Sequence, residues 1–217
     1  MKFEETPLVI ILGQSGRGKS TSIRNLPVEN TVILNTEQKP LPFKGSSKFK
    51  HNYKIGNPDH LVTGINKFKD DDSVDVVVID SFSAWTDLLM EKARNEYKNF
   101  DIFNYYNKTI YKLFKTIKDF KKIVILIAHD EVVQTADGET IKSVKVKGKE
   151  WEGVIEKEAI VVLYARMIKD KEGKNQYFFE TQTDGVTSAK SPMDMFEQTL
   201  IPNDLNLVIK GIKEYYE

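Results

Sequence analysis

Gly13-Gln14-Ser15-Gly16-Arg17-Gly18-Lys19-Ser20, followed by Thr21, comes directly after the apolar run Leu8 to Leu12 and leads into a segment able to begin a short helix. It has the form G-x-x-x-x-G-K-[ST], and each residue type in it answers a physical need. Gly13 and Gly18 let the backbone turn sharply and bring its N–H groups against phosphate oxygens, where a Cβ would obstruct the approach. Lys19 reaches the β- and γ-phosphates as a point charge, and the Ser20 hydroxyl can ligate a Mg²⁺ ion bridging them. A helix opening near Lys19 would aim its positive end at the same anion. The alternative is a Gly/Ser-rich turn with no ligand, but the strand before and helix after are the context that a phosphate-binding loop requires.

Working outward, Leu8 to Leu12 reads as a strand buried on both faces of a parallel sheet. The helix after the loop is short, because Pro27 ends it. Thr31 to Thr36 reads as a second strand with Glu37 just beyond its end, followed by a loop containing Pro40, Pro42 and Gly45. A short strand is expected over His51 to Ile55, a helix from Asn57-Pro58-Asp59 to about Lys69, and a solvated turn at Asp70-Asp71-Asp72-Ser73. Val74 to Ile79 is the strongest strand signal, ending in Asp80-Ser81. Ala84 to Lys98 and Ile102 to Phe120 read as helices. In the second, Phe103, Tyr106, Ile110, Leu113, Phe114 and Ile117 recur as a core-facing stripe. Ile123 to Ala128 is another buried strand, followed by His129-Asp130.

Val132 to Val146, with the turn signal Asp137-Gly138, reads as a projecting hairpin or mobile loop. Ala159 to Ile168 and Gln176 to Thr181 form an antiparallel pair around the turn Lys171-Glu172-Gly173-Lys174, and Asp204 to Tyr216 a terminal helix. The alternation of strands and helices implies an α/β fold with a mainly parallel central sheet flanked by helices and a C-terminal antiparallel extension. One domain over 1–217 is expected, since neither repeats nor an interdomain linker are apparent.

With 217 residues, 40% hydrophobic and 29% charged, the composition is that of a soluble globular protein. Lys plus Arg and Asp plus Glu balance at 32 each, so any polyanion site must be local rather than the work of a global field. The absence of cysteine excludes disulfides and thiolate metal sites. It is compatible with a reducing cytoplasm. No run reaches the length needed to span a membrane, and residues 1–12 lack the apolar core of a signal peptide.

Phosphate binding alone makes a site, not a reaction. Asp80, closing a hydrophobic strand, stands where a phosphate-loop protein places its second Mg²⁺ contact, so Ser20 and Asp80 form the candidate metal pair; the other reading of Asp80 is a helix N-cap. Glu37, at a carboxyl strand end, could orient or deprotonate the attacking water. His129, at the same edge, could touch the γ-phosphate or Glu37 and pass the nucleotide state to the next loop. Each could also be a structural surface residue. The segment after His129 carries Lys142, Lys145, Lys147 and Lys149, then Trp151. When extended, Lys145, Lys147 and Lys149 share one face and Val144 and Val146 the other. Such a strand could track a nucleic-acid backbone while Trp151 stacks a base, although edge strands also carry Lys to prevent aggregation.

Taken together, these motifs resemble the RecA-like ATPase core, particularly the short phage-encoded recombination or single-strand-annealing ATPases of the phage nucleotide-binding AAA-domain family. The resemblance rests on Gly13 to Thr21, Val32-Ile33-Leu34-Asn35-Thr36-Glu37, Val76-Val77-Val78-Ile79-Asp80-Ser81-Phe82 and Ile125-Leu126-Ile127-Ala128-His129. The Lys149-Trp151-Gly153 region and Thr187-Ser188-Ala189-Lys190-Ser191-Pro192 extend it over nearly the whole chain. It implies a RecA-like P-loop NTPase that uses ATP and Mg²⁺, with Lys19 on the phosphates, Glu37 as water-activating residue, Asp80 as magnesium-linked aspartate and His129 as γ-phosphate sensor. Residues 130–153 would be the DNA-binding loop, single-stranded DNA the partner and the host cytoplasm the location. It also implies a homo-oligomer with ATP at a subunit interface, completed by a cation in trans, for which Arg166 and Lys190 are candidates. A single-strand-binding or replication protein would be a further partner. Asn35 stands where many relatives have Asp.

Two other functions compete. A non-catalytic ATP-dependent switch or loader for a replication protein would keep the same loop. A small-molecule or nucleotide kinase would need several arginines to clamp the transferred phosphate, and the chain has only Arg17, Arg24, Arg94 and Arg166.

Overall fold

The computed structural model describes residues 3–134 and 138–216. Its centre is an eight-stranded sheet. The strands in chain order are β1 (Leu8–Leu12), β2 (Thr31–Asn35), β3 (Asn52–Lys54), β4 (Val76–Asp80), β5 (Ile123–Ala128), β8 (Val161–Lys169), β9 (Asn175–Glu180) and β10 (Leu200–Pro202). Across the sheet they run β10-β9-β8-β1-β5-β4-β2-β3. The six strands from β8 to β3 are mutually parallel, whereas β8–β9 and β9–β10 are antiparallel. This is the α/β architecture with an antiparallel extension that the sequence implies.

The continuous apolar strands follow from burial on both faces. Leu8, Ile10 and Leu12 pack on one side, with α1 (Asp59–Lys67), α2 (Phe82–Glu96) and α3 (Phe100–Lys118). Val9 and Ile11 pack on the other, with Ile23 and α4 (Leu205–Tyr216). In α3 the stripe Tyr106, Ile110, Leu113, Phe114 and Ile117 is buried as expected, but Phe103 is 48% exposed, and its neighbour Ile102 packs against the core instead. No helix among the described residues is long and apolar enough to cross a membrane.

Two sequence expectations change. The helix after the phosphate loop is a six-residue 3-10 helix, Ser20–Asn25, ended at Leu26 before Pro27. It is too short for a macrodipole, so an anion at the loop would be met by the loop N–H groups and Lys19 instead. The three-residue β10 was not foreseen, because a Pro-terminated run of three reads as loop; it pairs with the outer edge of β9. The triple-acid turn is solvated as expected: Asp71 accepts from the Ser73 amide at 3.0 Å and its hydroxyl at 2.6 Å.

Outside the main sheet, β6 (Asp130–Gln134) and β7 (Thr140–Val144) form the expected antiparallel hairpin. Of its expected turn, Asp137 lies outside the described residues and Gly138 has φ +83°. The base of the hairpin is pinned by carboxylates. Glu156 accepts from the Val144 amide at 2.7 Å, and Glu131 from the Val146 amide at 2.9 Å.

Candidate active site

The strand order explains how distant motifs meet. β1, β5, β4 and β2 are consecutive neighbours, all pointing the same way, about 4.8 Å apart. Their carboxyl ends therefore set the phosphate loop, His129, Asp80 and Glu37 side by side along one edge, the edge at which open α/β sheets bind ligands. Register holds them level: Leu12 pairs with Ala128, Asp80 with Ile127, and Asn35 with Asp80. A cleft of about 620 Å³ runs along this edge.

In the loop, Gly13, Gly16 and Gly18 all have positive φ (148°, 77° and 85°). A Cβ on Gly13 would sit 3.2 Å from the Ala165 carbonyl oxygen on β8, so glycine there serves close packing as well as the turn. Lys19 is buried. Its Nζ donates to the carbonyls of Gly13 (2.6 Å) and Gln14 (2.9 Å), and lies 3.5 Å from His129 Nδ1. Burial lowers its pKa to about 8, opposed by the charges of Asp130, Asp80 and Glu37. Ser15, Gly16, Gly18, Ser20 and Thr21 line the cleft. Gln14 contributes its carbonyl, and the Arg17 guanidinium turns to the Met167 carbonyl at 3.5 Å, so these two belong to the loop through its backbone.

Ser20 Oγ donates to Asp80 Oδ1 at 3.1 Å, which brings the candidate metal pair together. Asp80 is buried, and burial raises its pKa to about 6, with Glu37 adding to the rise and Ser20 opposing it. A carboxylate whose ionised form is disfavoured in this way is relieved by a cation beside it. One hydroxyl, one carboxylate, phosphate oxygens and waters also suit Mg²⁺, which keeps several of its waters. No cluster of three acidic, His or Cys side chains able to cage a metal occurs among the described residues. The N-cap role weighed for Asp80 belongs instead to Ser81, whose hydroxyl accepts from the Ala84 amide at the start of α2.

Glu37 is held on three sides. Ser81 Oγ donates to its Oε1 at 3.0 Å, Lys39 Nζ contacts Oε2 at 2.7 Å, and His129 Nε2 lies 3.6 Å from Oε1. Burial pushes its pKa up, but the bonds from Lys39 and Ser81 outweigh that and hold the carboxyl below its ordinary range. The backbone is fixed too, since the Thr36 and Glu37 amides both donate to the Asp80 carbonyl (2.8 and 3.2 Å). Asn35 is buried and folds the following loop. It accepts from the Gln38 amide and donates to the Lys39 carbonyl, both at 2.8 Å. An amide, unlike Asp, can do both at once.

His129 thus stands between Lys19 and Glu37. Burial lowers its pKa, as does the charge of Lys19, while Glu37 opposes them, so the imidazole is neutral at physiological pH. Its backbone carbonyl accepts from the Lys145 amide at 2.8 Å, and Ser83 Oγ links its amide (3.0 Å) to the Lys145 carbonyl (3.2 Å).

The basic segment partly follows expectation. Lys145, Lys147 and Lys149 are exposed while Val144 and Val146 are buried. Trp151 overturns it: the side chain is 2% exposed, its indole N–H donates to Asn107 Oδ1 at 2.8 Å, and Tyr111 packs on its ring. It is a core anchor for the hairpin, not a base-stacking platform. Lys142 also leaves the exposed set, its Nζ lying 5.2 Å over the Tyr164 ring. Arg166, a candidate trans cation, is committed within its own chain to Glu180 (2.5 Å) and Asp184 (2.6 Å). Lys190 is half-buried beside β8, where burial lowers its pKa and Glu156 opposes.

Sequence reading missed Lys39 and the far end of the cleft, made by Arg24, Tyr177 and Asn203. Lys39 lies two residues past Glu37, a spacing that alone was legible. Tyr177 arrives through the pairing of β9 with β8, and Asn203 follows β10, which pairs with the outer edge of β9.

The geometry defines a P-loop nucleotide-binding protein of the α/β class. The family model described as "AAA domain" matches residues 6–193, and the chain belongs to that family. A KaiC-like protein, PH0186, from the hyperthermophilic archaeon Pyrococcus horikoshii OT3 aligns with 16% identity over 82% of this chain and 78% of its own, at a TM-score of 0.47. The fold assignment rests on the strand order above rather than on that likeness. No curated protein matches the sequence.

Proposed function

We propose that this AAA-domain protein hydrolyses ATP with Mg²⁺ and uses the nucleotide state to control single-stranded DNA binding, in recombination or annealing of the phage type. Loop N–H groups and Lys19 hold the phosphates, and Ser20 and Asp80 are the residues that would hold Mg²⁺. When bound, the ion neutralises charge on the β- and γ-phosphates. Glu37, kept ionised by Lys39 and Ser81, accepts the proton of the attacking water. The observation that carries the coupling is the position of His129: its ring lies between Lys19 and Glu37, and its backbone is paired to Lys145 in the basic segment. A shift of the ring on γ-phosphate loss therefore displaces the exposed lysines.

The active assembly in this reading is a homo-oligomer with ATP at a subunit interface. With Arg166 already paired, Lys190 is the remaining candidate for the cation in trans. A single-strand-binding or replication protein is a further partner.

The test is single-stranded DNA affinity in the ATP and ADP forms across salt. Affinity should differ between the two and fall with salt, with a slope of about 0.7 per phosphate contact. Joint replacement of Lys145, Lys147 and Lys149 by Ala should flatten that slope. Equal affinity in both forms would leave the ATP-dependent switch for a protein partner as the better reading, and transfer of phosphate to a nucleoside monophosphate would favour a kinase.

A further inference from the structure

The outer face of α3 carries lysines and aromatic rings that neither the core nor the cleft uses. Phe100, Lys108, Tyr111 and Lys115 recur on one side of the helix, over about 22 Å of its length, with Lys112 beside them. Phe100 is 85% exposed and Tyr111 65%, and the three lysines are exposed as well. Between Asp101 and Asp119 the helix has no acidic residue. Among the described residues Lys108, Lys112 and Lys115 make no ion pair, whereas Lys118 is joined to Glu158 at 2.6 Å.

The Tyr111 ring is held in place. It packs on the buried Trp151, ring centroids 4.7 Å apart, and the indole N–H is fixed in turn by Asn107 at 2.8 Å. A side chain already ordered loses little freedom when a flat ligand stacks on it. The chain after the hairpin runs alongside the same helix. The Lys147 amide donates to the Tyr106 hydroxyl at 3.2 Å, Asn107 Nδ2 donates to Glu150 Oε1 at 2.7 Å, and Glu158 meets Lys118. The exposed Lys147 and Lys149 therefore continue onto the α3 face. An apolar partner would have to bury unpaired lysines, at a cost, whereas a polyanion with flat, unpaired bases matches both the charge and the rings.

We propose that Tyr111, flanked by Lys108, Lys112 and Lys115, stacks an unpaired base of single-stranded DNA, making the outer face of α3 a second strand-binding surface that grips DNA in every nucleotide state. The proposal rests on the single-stranded DNA reading above, to which it adds a surface remote from the phosphates. None of these four residues lines the cleft. A shift of the hairpin lysines on γ-phosphate loss therefore leaves this grip in place, and the strand stays attached while the hairpin lets go.

The experiment is fluorescence anisotropy of labelled oligo-dT with the full chain and Mg²⁺, in the presence of ATP or of ADP. Tyr111→Ala should weaken binding by about fivefold to a hundredfold, by the same factor in both forms, and Tyr111→Phe should keep the wild-type affinity. Joint replacement of Lys108, Lys112 and Lys115 by Ala should reduce the salt slope by about 2. Photo-crosslinking of the wild-type protein to an oligonucleotide carrying bromodeoxyuridine reads the same contact should a variant fail to fold, and the adduct should fall on the peptide containing Tyr111. Wild-type affinity in Tyr111→Ala, a loss confined to one nucleotide form, or adducts confined to the hairpin would overturn this proposal and leave the DNA reading standing. Polyglutamate displacing the label as well as unlabelled oligo-dT does would overturn it in favour of an acidic protein partner. No binding of oligo-dT in either form would overturn the single-stranded DNA reading and the proposal with it.

Discussion

The two ends of the cleft are finished to different degrees. At the carboxyl edge of β1, β5, β4 and β2 the polar side chains hold one another: Lys19 the loop carbonyls, Ser20 Asp80, and Ser81 and Lys39 Glu37. At the far end a buried amide nitrogen goes unpartnered and an aromatic ring lies open. Groups that hold one another are positioned before the reaction, which is where preorganised electrostatics acts. One end is filled by polar side chains that hold one another and the other is not, so substitutions at the two should differ in kind.

The largest effect separates them most sharply. Glu37→Gln should lower the turnover of ATP by about 10²- to 10⁴-fold, as expected for loss of a general base, while equilibrium binding of ATP persists; an unchanged steady-state rate would remove Glu37 from the mechanism. Next, Lys19→Ala withdraws the charge directed at the transferred phosphate and should cost about 10²- to 10³-fold in kcat/KM, readable in the same phosphate-release assay. At the far end, Tyr177→Ala should weaken ADP and GDP alike, by roughly tenfold, because stacking tolerates any base. A loss confined to turnover would instead place Tyr177 with the catalytic groups.

The smallest expected effect is on stability. Burial raises Asp80 to about 6, so the folded chain retains a proton there that the unfolded chain releases. The stability this contributes is present below the ordinary carboxylate value and is lost as pH rises toward 6. Asp80→Asn, which carries no charge, should therefore stabilise the fold at about pH 7, by on the order of 1–3 kcal/mol. The gain should vanish near pH 4, and Mg²⁺-dependent turnover should be lost throughout. Thermal melts at the two pH values check the sign, and a gain at both would show that Asp80 is not titrating.

The same contrast explains what was legible in the sequence. The catalytic end lies at the tips of strongly apolar strands, so Gly13 to Ser20, Glu37, Asp80 and His129 could be found by reading to the end of each run. The far end brings together Arg24 from the 3-10 helix after the loop, Tyr177 from β9 and Asn203 from just past the three-residue β10, which has no local signature, so that meeting went unread. Trp151 misled because the alternation of lysines and valines, which holds as far as Lys149, says nothing of the residues after it; the chain turns through a 3-10 helix at Lys149–Trp151 and takes the indole inward. Phe103 misled in the opposite sense: at the start of α3 it is Ile102 and Tyr105, not Phe103, that pack against the core.

The coupling of nucleotide state to the basic hairpin is the central claim, and ATP turnover with and without single-stranded DNA tests it most directly. Stimulation by DNA, lost on His129→Ala while ATP binding remains, is the predicted result. Equal turnover with and without DNA in the wild-type protein would contradict it.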